Sequence, residues 1–368
     1  MALLRTKKDK NKILFAGMDK ARKKYKDLLS SHYNPVLKRF ISKHIDVDSP
    51  YNSIIATSTQ FNIETLPDED IQNIVNLKRI NDIRRINKFF DAVNEKLDVD
   101  GLFIGCSETL ELRHKRLLKK YPWLLNRIYV FMDFVFKRVI PKLPITKQLY
   151  FGLTGGRNRI ISRAETLGRL YSCGFSIVQE KELCGMLFFV AKKVSPSLNV
   201  TNPSYGMFFK MKRTGKNGKP IHVYKMRTMY PFSEFLQPYI YEKNKLEPGG
   251  KFHNDFRISG MGKMLRALWI DELPMLINLF KGDLKIIGVR PLSKHFLSLY
   301  PKDFVKFRKK FKPGLIPPYY ADMPKGLDDI IESERKYLEA YQKNQFFTDI
   351  KYFWKAFYNI VFKRARSK

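Results

Sequence analysis

Cysteine, acidic side chains and long apolar runs are all scarce in this chain of 368 residues. Its three cysteines are Cys106, Cys173 and Cys184, and their spacing forms neither a CxxC motif nor a set of metal ligands. Their number and spacing fit a reducing compartment, where we expect the thiols to be buried as small apolar groups.

No run of about 20 apolar residues is present, so the sequence predicts no helix that spans a membrane. The first 12 residues contain no apolar segment of the kind that a secretory signal peptide needs. Near the C-terminus, residues 346–361 repeat aromatic and apolar side chains at helical spacing, with lysines between them. Two interpretations stay open for this helix: it lies at a membrane interface, or it packs on the protein core.

Acidic residues are outnumbered, with Lys+Arg 69 against Asp+Glu 35 and a formal net charge of +34. Such an excess predicts an anionic partner, which is a nucleic acid, a phospholipid surface or a phosphorylated substrate. No nucleic acid is expected as the partner, because no known nucleic-acid-binding motif occurs and the basic residues are spread along the chain. A hydrophobic content of 44% predicts a packed globular protein.

We predict three segments: a basic N-terminal segment 1–50, an α/β domain 51–195 and a second domain 196–368. In the α/β domain, short apolar runs at 52–58, 101–106, 174–179 and 186–191 predict strands, the last two in a hairpin, and 82–97 and 162–173 predict helices. This order loosely resembles the latter half of a class I methyltransferase fold. The glycine-rich cofactor loop is absent, so we expect an incomplete Rossmann-like domain without cofactor.

The loop at 152–159, GLTGGRNR, has two interpretations, a flexible connector or a backbone cradle for an anion. The turn-rich segment 195–204 predicts the domain boundary. Beyond it, Asn217-Gly218 predicts a tight hairpin that joins strands 208–213 and 221–226. Lys225 and Arg227 share a face if the second strand continues.

The stretch Arg257–Pro291 contains two adjacent carboxylates, Asp271 and Glu272. Apolar residues before them fall on one face of a helix: Met261, Met264, Leu265, Leu268 and Trp269. Because proline is tolerated only in a helix's first turn, Pro274 predicts a second helix that begins near Asp271. An N-cap position favours an ionised carboxylate and a bound phosphate, although simple capping is the alternative.

Three segments in this order resemble the bacterial sugar transferase family, the monotopic phosphoglycosyl transferases. They are Phe208–Met229, Asp255–Pro291 with Asp-Glu-Leu-Pro and Gly-x-Arg-Pro, and the turn Lys312–Gly314 followed by the tail helix. The resemblance covers Met207 to about Phe362. It implies an α+β sugar transferase domain with a β-hairpin and amphipathic helices.

The resemblance implies transfer of a sugar-1-phosphate from a UDP-sugar to polyprenyl (undecaprenyl) phosphate, with Mg²⁺, in surface polysaccharide or glycoconjugate assembly. UMP leaves. Asp271 corresponds to the nucleophile that forms a covalent phospho-sugar ester, and Glu272 to its partner in positioning or metal binding. Arg290 is expected to bind the nucleotide phosphates. Further candidates for the diphosphate are Lys225, Arg227, Arg257 and Arg266; for the last two, an ion pair within the domain is the alternative.

The sequence departs from the family at three places. The family's re-entrant membrane helix is replaced by the α/β domain and a polar linker, so attachment to an anionic membrane surface falls to the tail helix, surface aromatics and net charge. The implied location is the cytoplasmic face of the bacterial inner membrane, peripheral or monotopic.

The other two departures lie near the predicted site. Val289 replaces the family's proline and Leu292 its acidic residue, and the segment Lys312–Tyr320 lacks the family's Pro-Gly-x-Thr-Gly pattern. We expect a looser turn and a lost ligand or orienting group there. A catalytically impaired homologue that acts as a scaffold or regulatory subunit at the membrane is therefore the alternative function.

Overall fold

The computed structural model describes residues 35–67, 71–200, 205–244, 255–324 and 326–363. The described residues up to Tyr205, together with Pro231–Tyr239, form unit 1, and Gly206–Tyr230 with the residues from Ile240 onward form unit 2. The mixture of helices with parallel and antiparallel strands agrees with the expected α/β class. Of the basic segment 1–50, the part before residue 35 lies outside the described residues.

Unit 1 is built on a sheet of five strands in the order β1-β2-β3-β5-β4. The first three strands run parallel, and β5 is antiparallel to both β3 and β4. The strands are β1 Asn52–Ile55, β2 Asn73–Asn76, β3 Leu102–Ser107, β4 Phe175–Leu183 and β5 Met186–Lys193. Four of them are the strands predicted from apolar runs; β2 was missed because it has four residues with asparagine at both ends.

The described part of unit 1 up to residue 200 includes seven α-helices: α1 Pro35–Ser42, α2 Phe61–Glu64, α3 Ile86–Lys96, α4 Leu110–Lys120, α5 Trp123–Phe134, α6 Pro144–Thr154 and α7 Arg163–Ser172. Ser162 caps α7 by accepting the N–H of Glu165 at 3.1 Å, as the capping spacing predicts. Side chains from β3 alternate between two cores, with Phe103 in one and Ile104 in the other. Helices α3 and α7 cover the first face and α1 the second.

The expected burial of the cysteines is confirmed for two of the three. Cys106 and Cys173 are buried, but Cys184 is exposed, because it occupies the β4–β5 turn with a φ of 51°. Two aromatic residues of α5 are also exposed, Trp123 at 77% and Phe131 at 64%. Both lie on a surface of α5 that no described helix or strand covers.

Unit 2 contains two small sheets. The hairpin of β6 Phe208–Thr214 and β7 Pro220–Met226 is confirmed, with Asn217 at a φ of 56° and Gly218 at 75° in its turn. The second sheet pairs β8 Lys285–Ile287 in parallel with β9 Gly314–Ile316. A Cβ atom on Gly314 would lie 2.1 Å from the main-chain nitrogen of Gly288, so the two chains approach this closely only with glycine.

The helices from Gln237 onward are α8 Gln237–Asn244, α9 Gly260–Ala267, α10 Leu276–Phe280, α11 Lys294–Leu297, α12 Lys302–Lys309, α13 Tyr319–Asp322, α14 Leu327–Lys343 and α15 Gln345–Val361. The tail helix α15 has one side packed on the core and another side exposed. It packs on the core through Tyr352 and Ala356, while Phe346, Trp354 and Phe357 stay exposed. No helix in the described ranges is both long and apolar enough to cross a bilayer.

Candidate active site

A left-handed residue sets the position of the two carboxylates in unit 2. Helix α9 ends at Ala267, and Trp269, with a φ of 62°, begins a 3₁₀ helix at Ile270–Met275. The prediction that a second helix begins at about Asp271, with this residue at or near the N-cap, is confirmed to within two residues, since Trp269 is the N-cap. Asp271 lies in the first turn of this helix and is therefore close to a helix N-terminus, as expected. The helix itself is a short 3₁₀ helix rather than an α-helix.

An asparagine joins this region to the hairpin. Asn278 is fully buried on α10; its amide donates to the carbonyl of His222 at 2.7 Å and its oxygen accepts the N–H of Tyr224 at 3.0 Å. These bonds fix the 3₁₀ helix against β7. Lys225, the next residue of β7, then forms an ion pair with Glu272.

Asp271 is partly buried beside this pair. Burial raises the pKa of Asp271, and the negative charge of Glu272 raises it further. Lys225 and Arg266 lower the pKa, but the net shift is upward. A carboxylate with a perturbed pKa next to several cations is typical of a functional site.

Arg266 approaches Asp271 because α9 begins against the end of β7. The N–H of Ser259 donates to the carbonyl of Thr228 at 3.0 Å, and a Cβ on Gly262 would lie 1.9 Å from that same oxygen. Arg266 donates from Nε to the Thr228 hydroxyl at 2.9 Å. Across the described residues no carboxylate lies at ion-pair distance from Arg266, which leaves its charge available to a ligand.

Arg290 also has uncompensated donors. It is partly buried, and no acceptor within the described ranges receives a hydrogen bond from its guanidinium. Burial opposes its charge, yet the hydroxyls of Tyr319 and Tyr320 and the carboxylate of Glu272 together raise the pKa of Arg290. The effect of Glu272 indicates that Arg290 and the carboxylate pair contribute to one electrostatic site.

A buried ion pair holds the main chain of Arg290. Arg308 and Glu334 pair at 2.7 Å, and both side chains are almost fully buried. Glu334 accepts the N–H of Arg290 at 3.4 Å, a weak contact, and Arg308 donates to the Arg290 carbonyl. We call these three residues the arginine clamp. The sequence analysis missed Arg308 and Glu334, since nothing local to either residue indicates that they meet.

Two of the predicted phosphate ligands have partners of their own. Arg257 is buried and forms a bidentate ion pair with Asp255 at 2.6 and 2.9 Å, which is the alternative that the sequence left open. Strand β7 ends at Met226, one residue before Arg227, whose N–H still donates to the carbonyl of Met207 at 2.6 Å. Its guanidinium instead donates to the carbonyl of Gly206 at 3.1 Å and lies over Phe209.

The Gly-x-Arg-Pro turn is tightly held despite its unusual flanks. Val289 and Leu292 are both buried in the main core of unit 2. The Val289 carbonyl accepts the N–H of Gly314 at 3.0 Å, and the Leu292 carbonyl accepts the N–H of Thr214 at 3.0 Å. The looser turn expected from Val289 is not observed, because core packing and main-chain bonds replace the rigidity of proline.

The described residues contain no group of three or more His, Cys, Asp or Glu side chains that would hold a metal alone. Asp271 and Glu272 supply carboxylate oxygens, the donors that Mg²⁺ prefers. In many enzymes Mg²⁺ uses one or two carboxylates and completes its ligands with substrate phosphates and water. The donor set fits such a shared site, in which Glu272 would exchange part of its contact with Lys225.

Apolar side chains around the carboxylates face outward. Leu265 and Met275 are buried, but seven others between residues 261 and 280 are exposed: Met261, Met264, Leu268, Leu273, Leu276, Ile277 and Phe280. Phe280 is the most exposed, at 88%. Apolar groups concentrated in this way are typical of a surface that contacts a lipid or another protein.

Residues 181–363 match the sequence model of the family described as bacterial sugar transferase. The uncharacterized sugar transferase EpsL of Bacillus subtilis is 38% identical over 109 residues, or 30% of this chain and 48% of that protein. The UDP-N-acetylgalactosamine-undecaprenyl-phosphate N-acetylgalactosaminephosphotransferase of Aeromonas hydrophila is 32% identical over 113 residues, covering 30% and 24%. The undecaprenyl-phosphate galactose phosphotransferase of Salmonella typhimurium is 31% identical over 138 residues, covering 36% and 28%. The aligned segments thus span half or less of each relative.

The arginine clamp predicts a large effect of a small substitution. Glu334→Gln keeps the side-chain shape but leaves the buried guanidinium of Arg308 without a carboxylate. Losing one partner of a buried ion pair costs about 3–5 kcal/mol, so the free energy of unfolding should fall by that order. Urea unfolding followed by circular dichroism measures it.

The exposed pair of Glu332 and Lys336, 3.6 Å apart on α14, provides the control. Glu332→Gln should change the free energy of unfolding by less than about 1 kcal/mol. Equal effects of the two substitutions would show that the clamp contributes no more than a surface ion pair.

Proposed function

Since the C-terminal part of the chain belongs to the bacterial sugar transferase family, we propose that the protein transfers a sugar-1-phosphate from a UDP-sugar to polyprenyl phosphate and releases UMP. The observation that carries the proposal is one electrostatic site: Asp271 with a raised pKa, the Lys225–Glu272 pair and the unpaired guanidinium of Arg290. The names of two relatives as undecaprenyl-phosphate phosphotransferases support the class of acceptor.

In the first step, a carboxylate oxygen of Asp271 attacks the phosphorus that is bonded to the sugar. The new bond joins the Asp271 oxygen to phosphorus, and the bond from phosphorus to the bridging oxygen of the diphosphate breaks. UMP departs with that electron pair, and the enzyme retains a phospho-sugar ester. Arg290 and Arg266 stabilise the negative charge on the phosphate oxygens, because neither cation is consumed by a carboxylate.

In the second step, a phosphate oxygen of the polyprenyl phosphate attacks the same phosphorus. The bond to Asp271 breaks, the carboxylate is regenerated, and a polyprenyl diphosphate sugar forms. A covalent intermediate lets two bulky substrates use one site in turn. Lys225 keeps part of its ion pair with Glu272 and so positions that carboxylate beside Asp271.

Mg²⁺ is the proposed cofactor, and Glu272 is the residue that would hold it together with the phosphates of the donor. When bound, the ion neutralises charge on the phosphate oxygens. The side chains of the protein would then position the donor. Asp271 would not bind the metal and would remain available to attack the phosphorus.

We also propose that the protein engages an anionic membrane surface at the cytoplasmic face. The acceptor is a lipid, and the exposed apolar residues around Asp271 would contact the same surface that contains it. Exposed aromatics of α15 and the net charge of +34 add apolar and electrostatic attraction.

Substitution of the nucleophile tests the reaction. Asp271→Asn removes the attacking oxygen's charge, so UMP release from UDP-sugars in the presence of Mg²⁺ and undecaprenyl phosphate should fall on the order of 10³-fold or more. Chromatographic measurement of UMP gives the rate.

Asp328→Asn, an exposed carboxylate on α14, is the matched control and should keep the wild-type rate. Release that survives in Asp271→Asn would eliminate the nucleophile assignment. No release by the wild-type chain with any UDP-sugar would favour the scaffold role that the replaced acidic residue at Leu292 suggests.

The pH dependence follows from the raised pKa of Asp271. Attack requires the ionised carboxylate, so the rate should fall on the acidic side through a pKa above the ordinary aspartate value of 3.8. Glu272→Gln removes a neighbouring negative charge and should move that acidic limb to lower pH, even where the maximal rate also drops. Rates normalised to the plateau between pH 4 and 8 measure the shift; an unmoved limb would contradict the coupling.

Vesicle flotation tests the membrane surface. Phe280→Ser with Trp354→Ser should weaken binding to phosphatidylcholine vesicles that contain phosphatidylglycerol by about tenfold or more, because burying one large apolar side chain contributes about 1.5–3 kcal/mol. Phe61→Ser, an exposed phenylalanine of unit 1, is the control. Equal binding by the double variant and the control would remove these residues from the membrane contact.

A further inference from the structure

Unit 1 contains a cavity of about 540 Å³ that the proposed transferase reaction does not use. It lies between the first turn of α3, the segment at 137–141, helices α6 and α7 and the residues that precede unit 2. Its size is that of a small-molecule site. We call it the basic pocket.

The walls of the basic pocket are strongly unbalanced in charge. Eight arginine and lysine side chains line it, against the two carboxylates Asp91 and Glu165. Glu165 is shared by two buried arginines, Arg138 at 2.7 Å and Arg169 at 2.9 Å. Asp91 is engaged by the hydroxyl of Ser197 at 2.6 Å. The pocket therefore has a net positive charge that its own carboxylates do not neutralise.

Two of its arginines have unused capacity. Arg169 is only 6% exposed, and its Nε has no acceptor among the described residues. Arg159 donates to the main-chain carbonyls of Gly156, Ile83 and Arg84, and no described carboxylate lies at ion-pair distance from it. Burial, followed by repulsion from Arg169, lowers the pKa of Arg159 to about 10. Arg159 thus lacks a counter-charge, and Arg169 shares the single carboxylate of Glu165 with Arg138.

Placing several cations away from water is unfavourable unless an anion compensates them. A phosphate group fits here, because guanidinium groups bind its oxygens in a bidentate manner. The first turn of α3, at Ile86–Lys96, adds main-chain N–H groups, since its N-cap residue Arg85 provides no side-chain cap. Phe151, which lies 5.3 Å from the Arg159 guanidinium, and Tyr205 supply apolar surface beside the charges.

We propose that the basic pocket binds an organic phosphate, with Arg159 and Arg169 contacting the phosphate oxygens and Arg84 and Lys88 lining the entrance. The site is separate from the carboxylates of unit 2 and does not rest on the proposed transfer reaction. Of the stretch 152–159, only Arg159 lines the pocket, and residues 152–154 belong to α6, so the expected backbone cradle is not part of this site.

Isothermal titration of the full chain with inorganic pyrophosphate tests this proposal. Arg84→Glu with Lys88→Glu reverses two exposed charges at the entrance and should raise the Kd at least tenfold. Lys43→Glu with Lys119→Glu makes the same change in net charge at exposed positions of unit 1 outside the pocket, and it should leave the Kd within twofold. Equal weakening in both double variants would reduce the effect to overall charge and overturn the pocket.

A second pair of measurements separates the sites and the sources of phosphate. Arg290→Gln should keep the pyrophosphate binding that Arg84→Glu with Lys88→Glu weakens; loss of all binding in Arg290→Gln would assign the ion to unit 2 and overturn the proposal. Arg169→Lys keeps the charge but removes the fork, and it should weaken binding in a chain with an unchanged circular dichroism spectrum.

Phosphatidylcholine vesicles with phosphatidic acid probe a lipid headgroup as the source. If the headgroup is the ligand, vesicle binding is lost in Arg84→Glu with Lys88→Glu but kept in the control variant. If the ligand is soluble, the two double variants differ in pyrophosphate binding but not in vesicle binding. Wild-type protein that binds neither probe overturns the proposal.

Discussion

The buried ion pair of Arg308 with Glu334 is the constraint on which the candidate site of unit 2 depends. It uses its charges to hold the main chain of Arg290 at both the N–H and the carbonyl, which fixes the position from which the guanidinium of Arg290 extends. A cation held by its backbone is available to a ligand without reorganisation, which is the arrangement that electrostatic catalysis requires. Burying this ion pair costs desolvation free energy, and its effect is to fix the position of Arg290.

Features of the backbone and its packing position the two carboxylates, Asp271 and Glu272. Trp269 in a left-handed conformation turns the chain between α9 and the 3₁₀ helix, and its ring packs 4.7 Å from that of Tyr320. Gly262 lets α9 begin against Thr228, where a side chain would collide. Asn278 then joins α10 to β7. Unfavourable local conformations persist at functional sites when the surrounding packing determines them in this way.

Local signals predicted much of the fold. Asn217-Gly218 specified the hairpin and Ser162 the start of α7, because each depends on a turn or cap whose chemistry lies within a few residues. The break at Trp269 was not predictable, since an apolar periodicity continues through it, and the left-handed residue packs on Tyr320, which is distant in sequence. The family resemblance placed Lys225 and Asp271 at one site, and in the structure Lys225 pairs with Glu272, the neighbour of Asp271. The partners of Arg257 and Arg290 are decided by tertiary contacts.

The net charge of +34 predicted an anionic partner but gave no position for it. The structure sorts the cations by whether a carboxylate neutralises them. Arg113, for example, pairs with Glu108 at 3.1 Å and Asp133 at 2.6 Å and so has only a structural role. Arg290 in unit 2 and Arg159 in unit 1 are partly buried without such a partner. Because an unneutralised, partly buried charge is the costly case, these are the positions at which we propose a bound anion.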